Sequence, residues 1–281
     1  MRQMIKNIIG LAGFKLERVR PRRWSLPTHV GPSENLEEID DLVFRIGDWR
    51  YEIPLSKAVG RPCFGYGPDS WHPYVAAVKE LLEEPKISYD DSVLKRHFEE
   101  WQPRSVAESH FPGELSPHPI LERIPAPSLF EPWLRRPPPC DEPLNPRCRP
   151  AGSPLFGPLT PERGKDELHR LRRTLRSIER YGYQPDGFPR GLIKVAVLRH
   201  AGENRYLIAH GQHRAAVLAA LDQKNVVVGI HRELPPLIDS GEAPKWPHVV
   251  DGTLDSSTAL AMLERFFILD GKSTPFDSID R

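Results

Sequence analysis

The stretch RYLIAHGQHRAAVLAAL, residues 205–221, decides how the second half of the chain is read. It opens with a short apolar run, Arg205 to Ala209, passes through His210 and Gly211, and continues as an unbroken apolar series from Ala215 to Leu221. That order predicts a strand turning through a glycine straight into a helix. The first turn of a helix has N–H groups without intrahelical partners and lies at the positive end of the helix dipole. Such a corner attracts anions. Gly211 lets the backbone come close to a ligand, and Arg214 offers a planar fork that matches phosphate or carboxylate.

The neighbouring segments fit a small mixed sheet with helices. Leu192 to Leu198 predicts a strand, Gly202-Glu203-Asn204 a turn, and Arg205 to Ala209 its antiparallel partner. The helix from Ala215 to Leu221 is apolar on every face and is expected to be buried. Asn225 to Ile230 reads as a further buried strand. Leu168, Leu171, Leu175 and Ile178 recur at helical spacing between Asp166 and Tyr181, and Gly182 is a helix stop. A last helix, Ser257 to Leu269, is expected to turn Leu260, Leu263 and Phe267 inward.

Upstream, residues 25–111 read as an α+β accessory region. Leu42 to Ile46 and Trp49 to Leu55 are strand-like around a Gly47-Asp48 hairpin turn. Tyr74 to Glu84 predicts a helix with Val75, Val78, Leu81 and Leu82 on one face. Asp91 or Ser92 caps another helix with the stripe Val93, Leu94, Phe98 and Trp101. Between the two halves, 14 of the 31 prolines fall in residues 112–158. Each proline removes a donor and fixes φ, so this connector is expected to hold no helix or central strand. Its apolar residues Ile120, Leu121, Ile124, Leu129, Phe130, Trp133 and Leu134 are too many for a solvated linker and predict packing along the folded parts. The fold class expected is α+β, with residues 159–281 as the C-terminal domain.

The bulk numbers exclude several classes. With 281 residues, 27% of them charged and 39% hydrophobic, the chain fits a soluble globular protein. A net charge of +1 supplies no whole-molecule field for nucleic acid. Cys63, Cys140 and Cys148 form no disulfide framework and no zinc spacing, so a reducing, cytoplasmic setting is the default and no metal site is expected. Residues 1–24 stand apart as a basic amphipathic segment. Within residues 1–23, Arg2, Lys6, Lys15, Arg18, Arg20, Arg22 and Arg23 face Glu17 alone, beside Met1, Met4, Ile5, Ile8, Ile9 and Ala12 at helical spacing. This segment reads either as a helix on the protein body or as a peripheral contact with an anionic membrane surface. No apolar run there spans a bilayer.

The series LRRTLRSIERYGYQP, LIKVAVLR and RYLIAHGQHRAAVLAALDQKNVVVGI, within residues 165–231, resembles the ParB/sulfiredoxin-like superfamily. The matching features are Ser177-Ile178, Gly182, Gln184-Pro185 and the box Gly211-Gln212-His213-Arg214. The resemblance implies a nucleotide-phosphate platform in which Gly211, Gln212, His213 and Arg214 form the binding corner. The departures narrow what it implies. Gln212 stands where sulfiredoxin carries its nucleophilic cysteine, and an amide cannot supply that sulfur. His210 stands where the related free-serine kinases carry an aspartate. ParB-type partition proteins continue into a helix-turn-helix, and no such pair is visible after His231. Residues 159–281 hold 18 Lys or Arg and 16 Asp or Glu, a balance that disfavours DNA binding.

For the individual residues, Arg214 reads as an anion ligand, with pairing to a carboxylate as the alternative. His213 either donates to phosphate or caps the turn. Arg173, Arg176 and Arg180 read as the wet face of their helix. No catalyst is identified: His210 and Glu179 are the candidates for moving a proton. The function expected is binding of a nucleotide or another phosphorylated small molecule, with phosphoryl transfer or hydrolysis as an extension. No cofactor is fixed, a magnesium-bound nucleotide being compatible. The alternative is a non-enzymatic scaffold or regulatory protein that keeps the corner as structure, and ParB-like DNA binding is the weaker third.

Overall fold

The computed structural model describes residues 50–62, 64–126, 130–134, 155–185, 191–231, 234–269 and 271. The basic segment 1–24, the strand expected at Leu42–Ile46 with its hairpin turn, Leu129 and all three cysteines lie outside them. Strand β4 (Ile193–His200) is the axis of a seven-stranded mixed sheet. β5 (Glu203–His210) pairs antiparallel along one edge of β4 through a tight turn at Ala201 and Gly202, with φ 48° and 81°. That pair of left-handed residues matches the right-handed twist of a hairpin. Along the other edge run β6 (Asn225–Ile230) and β7 (Leu237–Asp239), both parallel to β4.

The N-terminal half joins the same sheet. β1 (Arg50–Pro54) pairs antiparallel with β6, β2 (Ala58–Gly60) pairs parallel with β5, and β3 (Phe64–Gly65) pairs antiparallel with β2. The fold is therefore α+β, with strands from residues 50–65 and 193–239 in one sheet.

Alternation along β4 supplies both faces. Ile193 and Val195 enter one core with Ile208, Val226 and Val228, under the helices α1 (Pro73–Glu83), α2 (Val93–Glu100), α5 (Pro161–Tyr181) and α6 (Gln212–Ala220). Ala196 and Leu198 enter the opposite core with Leu207 and α8 (Ser256–Ile268). The two-residue period of a strand makes this division. α6 is wedged into the first core with Ala215, Ala216, Val217 and Leu218 buried, as its all-apolar sequence requires.

Several expected faces move. α1 buries Tyr74, Ala77, Val78 and Leu81, while Leu82 stays on the exposed side at 38%. Tyr74 and Ala77 complete the i, i+3, i+4, i+7 stripe, and Leu82 lies just beyond its edge. α8 buries Thr258, Ala259, Met262, Leu263 and Phe266, so Leu260 and Phe267 are only half-buried. Its start is set by Asp255, whose carboxylate accepts from the Thr258 N–H at 2.7 Å, and the buried stripe runs down from there. α5 begins at Pro161, earlier than Asp166, because Thr160 caps it and proline at the first helical position gives up a donor that has no partner anyway. Ser92 caps α2 as the sequence suggests.

The proline-rich region does contain helix. α4 (Pro119–Arg123) follows α3 (Val106–His110), and Pro119 sits at its first position, where the missing N–H costs nothing. Leu121, Ile124, Phe130, Trp133 and Leu134 are buried against the second core. Trp133 meets Trp246 edge to face at 5.3 Å. Buried Glu131 accepts from Nε and one terminal nitrogen of the Arg61 guanidinium and also from the Trp133 indole at 3.2 Å. This fastens residues 130–134 to the β2–β3 turn. Short helix α7 (Pro247–Val250) precedes α8. Among the described residues no helix is long and apolar enough to cross a membrane.

Candidate anion pocket

The corner forms as the sequence order dictates. β5 ends at His210, Gly211 takes φ 91° as the helix cap, and α6 starts at Gln212. Glycine is favoured here for two reasons. The conformation is left-handed, and a Cβ would stand 3.0 Å from an Arg214 guanidinium nitrogen and 3.1 Å from the Ile193 side chain. The Arg214 and Ala215 N–H groups both donate to the Gly211 carbonyl at 3.0 Å. The N–H groups of Gln212 and His213 precede the first intrahelical bonds, as the first donors of a helix do.

Beside this corner opens a pocket of about 770 Å³. Its floor is His210 to Arg214, one wall is α5 with Arg170, Arg173, Thr174 and Ser177, and the other is the turn from Gly182 to Gln184. Tyr181 and Ile178 add apolar surface to the lining, with Tyr181 58% exposed. The volume falls within the range of small-molecule sites. Three guanidinium side chains, from Arg170, Arg173 and Arg214, share the lining with the helix start.

Arg214 is half-buried, and one of its nitrogens donates to the carbonyl of Gly191. Gly191 is itself tightly placed, since a Cβ would meet the Pro185 carbonyl at 2.5 Å. The arginine thereby ties the turn after α5 and the start of β4 to the helix that carries it. Burial lowers its guanidinium pKa, and the Tyr183 phenol acts against that.

His213 is tied to the buried face of α5. Its Nε2 lies 2.7 Å from Glu167, which is 2% exposed and sits on the buried face of α5 among Leu168, Leu171 and Leu175. Its ring stacks on Tyr74 at 4.9 Å and 26°. The Tyr74 hydroxyl donates to the same Glu167 oxygen at 3.2 Å, and Arg170 donates to the other at 3.2 Å. Burial pushes the Glu167 carboxyl up, but hydrogen bonding and charge from His213, with Arg170 and Tyr74, outweigh it and hold the group below its ordinary value. Glu167 is therefore a carboxylate with three donors, the arrangement a buried charge demands. Burial, then the Glu167 charge, raises the Tyr74 phenol far above its usual range.

Gly211, Gln212, His213 and Arg214 are thus brought together in one pocket, and His210 lines its rim. Glu179 is exposed and does not line the pocket. Of the three arginines read as a wet face, Arg173 lines the pocket while Arg176 and Arg180 do not, and Arg180 lies 5.1 Å over the Tyr181 ring. Sequence reasoning missed Glu167, Tyr74 and Arg170. The available signal was a glutamate placed inside a leucine stripe, which a helix does not bury without a partner. Among the described residues no group of three or more His, Cys, Asp or Glu is placed to hold a metal ion. Comparison of the chain with protein-family models, curated proteins and solved structures returns no match.

Proposed function

We propose that the chain binds a nucleotide or another phosphorylated small molecule in the pocket beside Gly211–Arg214. The observation that carries this reading is the meeting of a helix start in a 770 Å³ pocket with Arg170, Arg173 and Arg214 on its lining. Backbone N–H groups and forked guanidinium groups together satisfy the several oxygens of a phosphate chain. The apolar surface of Ile178 and Tyr181 in the lining suits the remainder of such a ligand, a base or sugar stacked against a ring. The same reading agrees with the resemblance to the ParB/sulfiredoxin-like superfamily, which we keep as a proposal for residues 165–231. Phosphoryl transfer or hydrolysis is its natural extension, because such chemistry rests on positioning and electrostatic stabilisation.

A thermal-shift screen with ATP, ADP, CTP and a sugar nucleotide, each with magnesium, tests the proposal. Saturable stabilisation by at least one of them is expected, and Arg214→Ala removes it. Absence of a shift with every ligand sinks the reading. One observation favours a second reading, a scaffold that retains the corner as structure: Arg214 and His213 both hold protein partners, Gly191 and Glu167. In that case Arg214→Ala lowers the melting temperature and no ligand raises it.

A further inference from the structure

We infer that Glu167 and His213 form a carboxylate–imidazole pair that makes His213 the general base for hydrolysis of a phosphoryl group held at the corner. This rests on the anion-binding reading above and adds to it the catalyst that the sequence did not supply. Nε2 is committed to Glu167 at 2.7 Å, and against a carboxylate it is the nitrogen that carries the proton. Nδ1 is then the lone-pair nitrogen. Among the described residues Nδ1 has no hydrogen-bond partner, and His213 lines the pocket with a quarter of its side chain exposed.

The ring cannot swing away. Tyr74 covers one face, and its hydroxyl also fixes the Glu167 oxygen that holds Nε2. The position is equally telling. Nδ1 belongs to the second residue of α6, so it stands within the same turn as the N–H groups offered to the anion. A base oriented by a buried carboxylate beside an oxyanion-stabilising helix start is the arrangement that hydrolytic sites use.

A water oxygen forms a bond to phosphorus while its O–H proton passes to Nδ1. The phosphorus–oxygen bond to the leaving group breaks, and its electron pair departs with that oxygen, stabilised by the first-turn N–H groups and the arginines. The imidazolium keeps its Nε2 proton in the hydrogen bond to Glu167, and the Nδ1 proton is released afterwards. The charged and titratable groups facing His213 are Glu167 and Arg170 from α5, Tyr74 and the capping His72 from α1, and Arg214 from its own helix. Glu167 acts through His213 and is a positioning residue.

The full-length protein is assayed for phosphate release from ATP with magnesium and from p-nitrophenyl phosphate, beside calorimetric binding of tripolyphosphate. Wild type is expected to hydrolyse at least one substrate, with a rate that rises with pH to a plateau. His213→Gln is expected to lose roughly 10²-fold or more in turnover while binding tripolyphosphate within a few-fold of wild type. Glu167→Gln shifts the pH profile, and long-range ¹H–¹⁵N NMR of wild type shows the Nε2–H tautomer at His213 in its absence of substitution. Should Glu167→Gln fail to fold, Tyr74→Phe, which keeps the stack, and the wild-type tautomer carry the test. Undiminished turnover in His213→Gln, binding without hydrolysis in wild type, an Nδ1–H tautomer, or a stable phosphohistidine each overturns the general-base assignment. Failure of tripolyphosphate to bind overturns the anion site itself, and the two failures are thereby told apart.

Discussion

Arg61 and Glu131 show what single residues contribute at a distance from the pocket. Their doubly bonded pair is nearly closed to solvent, with side chains 14% and 3% exposed. Removing one partner of such a pair strands the other, at a cost of about 3 kcal/mol. Glu131→Ala is therefore expected to lower stability by that order in denaturant melts, and an unchanged midpoint contradicts the assignment. Gly211 carries a different constraint, since both its φ of 91° and its neighbours oppose a side chain. Gly211→Ala is expected to cost about 1–2 kcal/mol from the left-handed conformation alone. It should also weaken anion binding, because the first-turn N–H groups shift with the cap. Retained affinity would show that the helix start does not hold the ligand.

The elements differ in how much of them the sequence displays. α6 and its entry through Gly211 are legible because a strand pattern meets a glycine and then an all-apolar run, and β4 with β5 follows from alternation and a tight turn. The role of α5 is not legible in the same way. Its leucine stripe predicts a helix against the core, but Glu167 lies on that stripe as a polar letter, and its partner His213 is 46 residues away. Tyr74 reads equally as plain core until the ring of His213 is found on it. Cross-chain pairing is hidden for the same reason: nothing local in Arg50–Pro54 names Asn225–Ile230 as its neighbour. Ser92 is legible as a cap of α2, whereas the sequence pattern starts α5 at Asp166 and leaves its cap, Thr160, unread. Thr160 accepts from the Arg163 N–H at 3.4 Å and is followed by Pro161. Thr160→Ala is expected to cost about 1 kcal/mol in helix and protein stability, measurable as a lowered melting temperature. No change would mean that Pro161 alone sets the start of α5.

At the scale of the whole molecule, acid sensitivity is built into the core. His72, His97 and His110 are buried, and burial, before any other cause, lowers them to about 3, about 4 and about 4. His97 donates from Nε2 to the Leu155 carbonyl at 2.8 Å, which only partly offsets burial. An unfolded chain protonates these rings near pH ~6.5, so below that pH it binds protons the native state refuses. Stability is thus full above about pH 6.5 and falls as pH drops toward 4, each ring adding up to ~1.4 kcal/mol per pH unit. Urea melts between pH 7.5 and 4.5 should show this decline, and a flat profile down to pH 5 contradicts it. The pocket beside Gly211–Arg214 is proposed to receive a phosphorylated ligand. Calorimetric titration of the full chain with magnesium-ATP, repeated on Arg214→Ala, tests that claim most directly. One saturable site in wild type, lost in the variant, is the result expected. Heats indistinguishable from dilution in wild type, or equal affinity in Arg214→Ala, would contradict it.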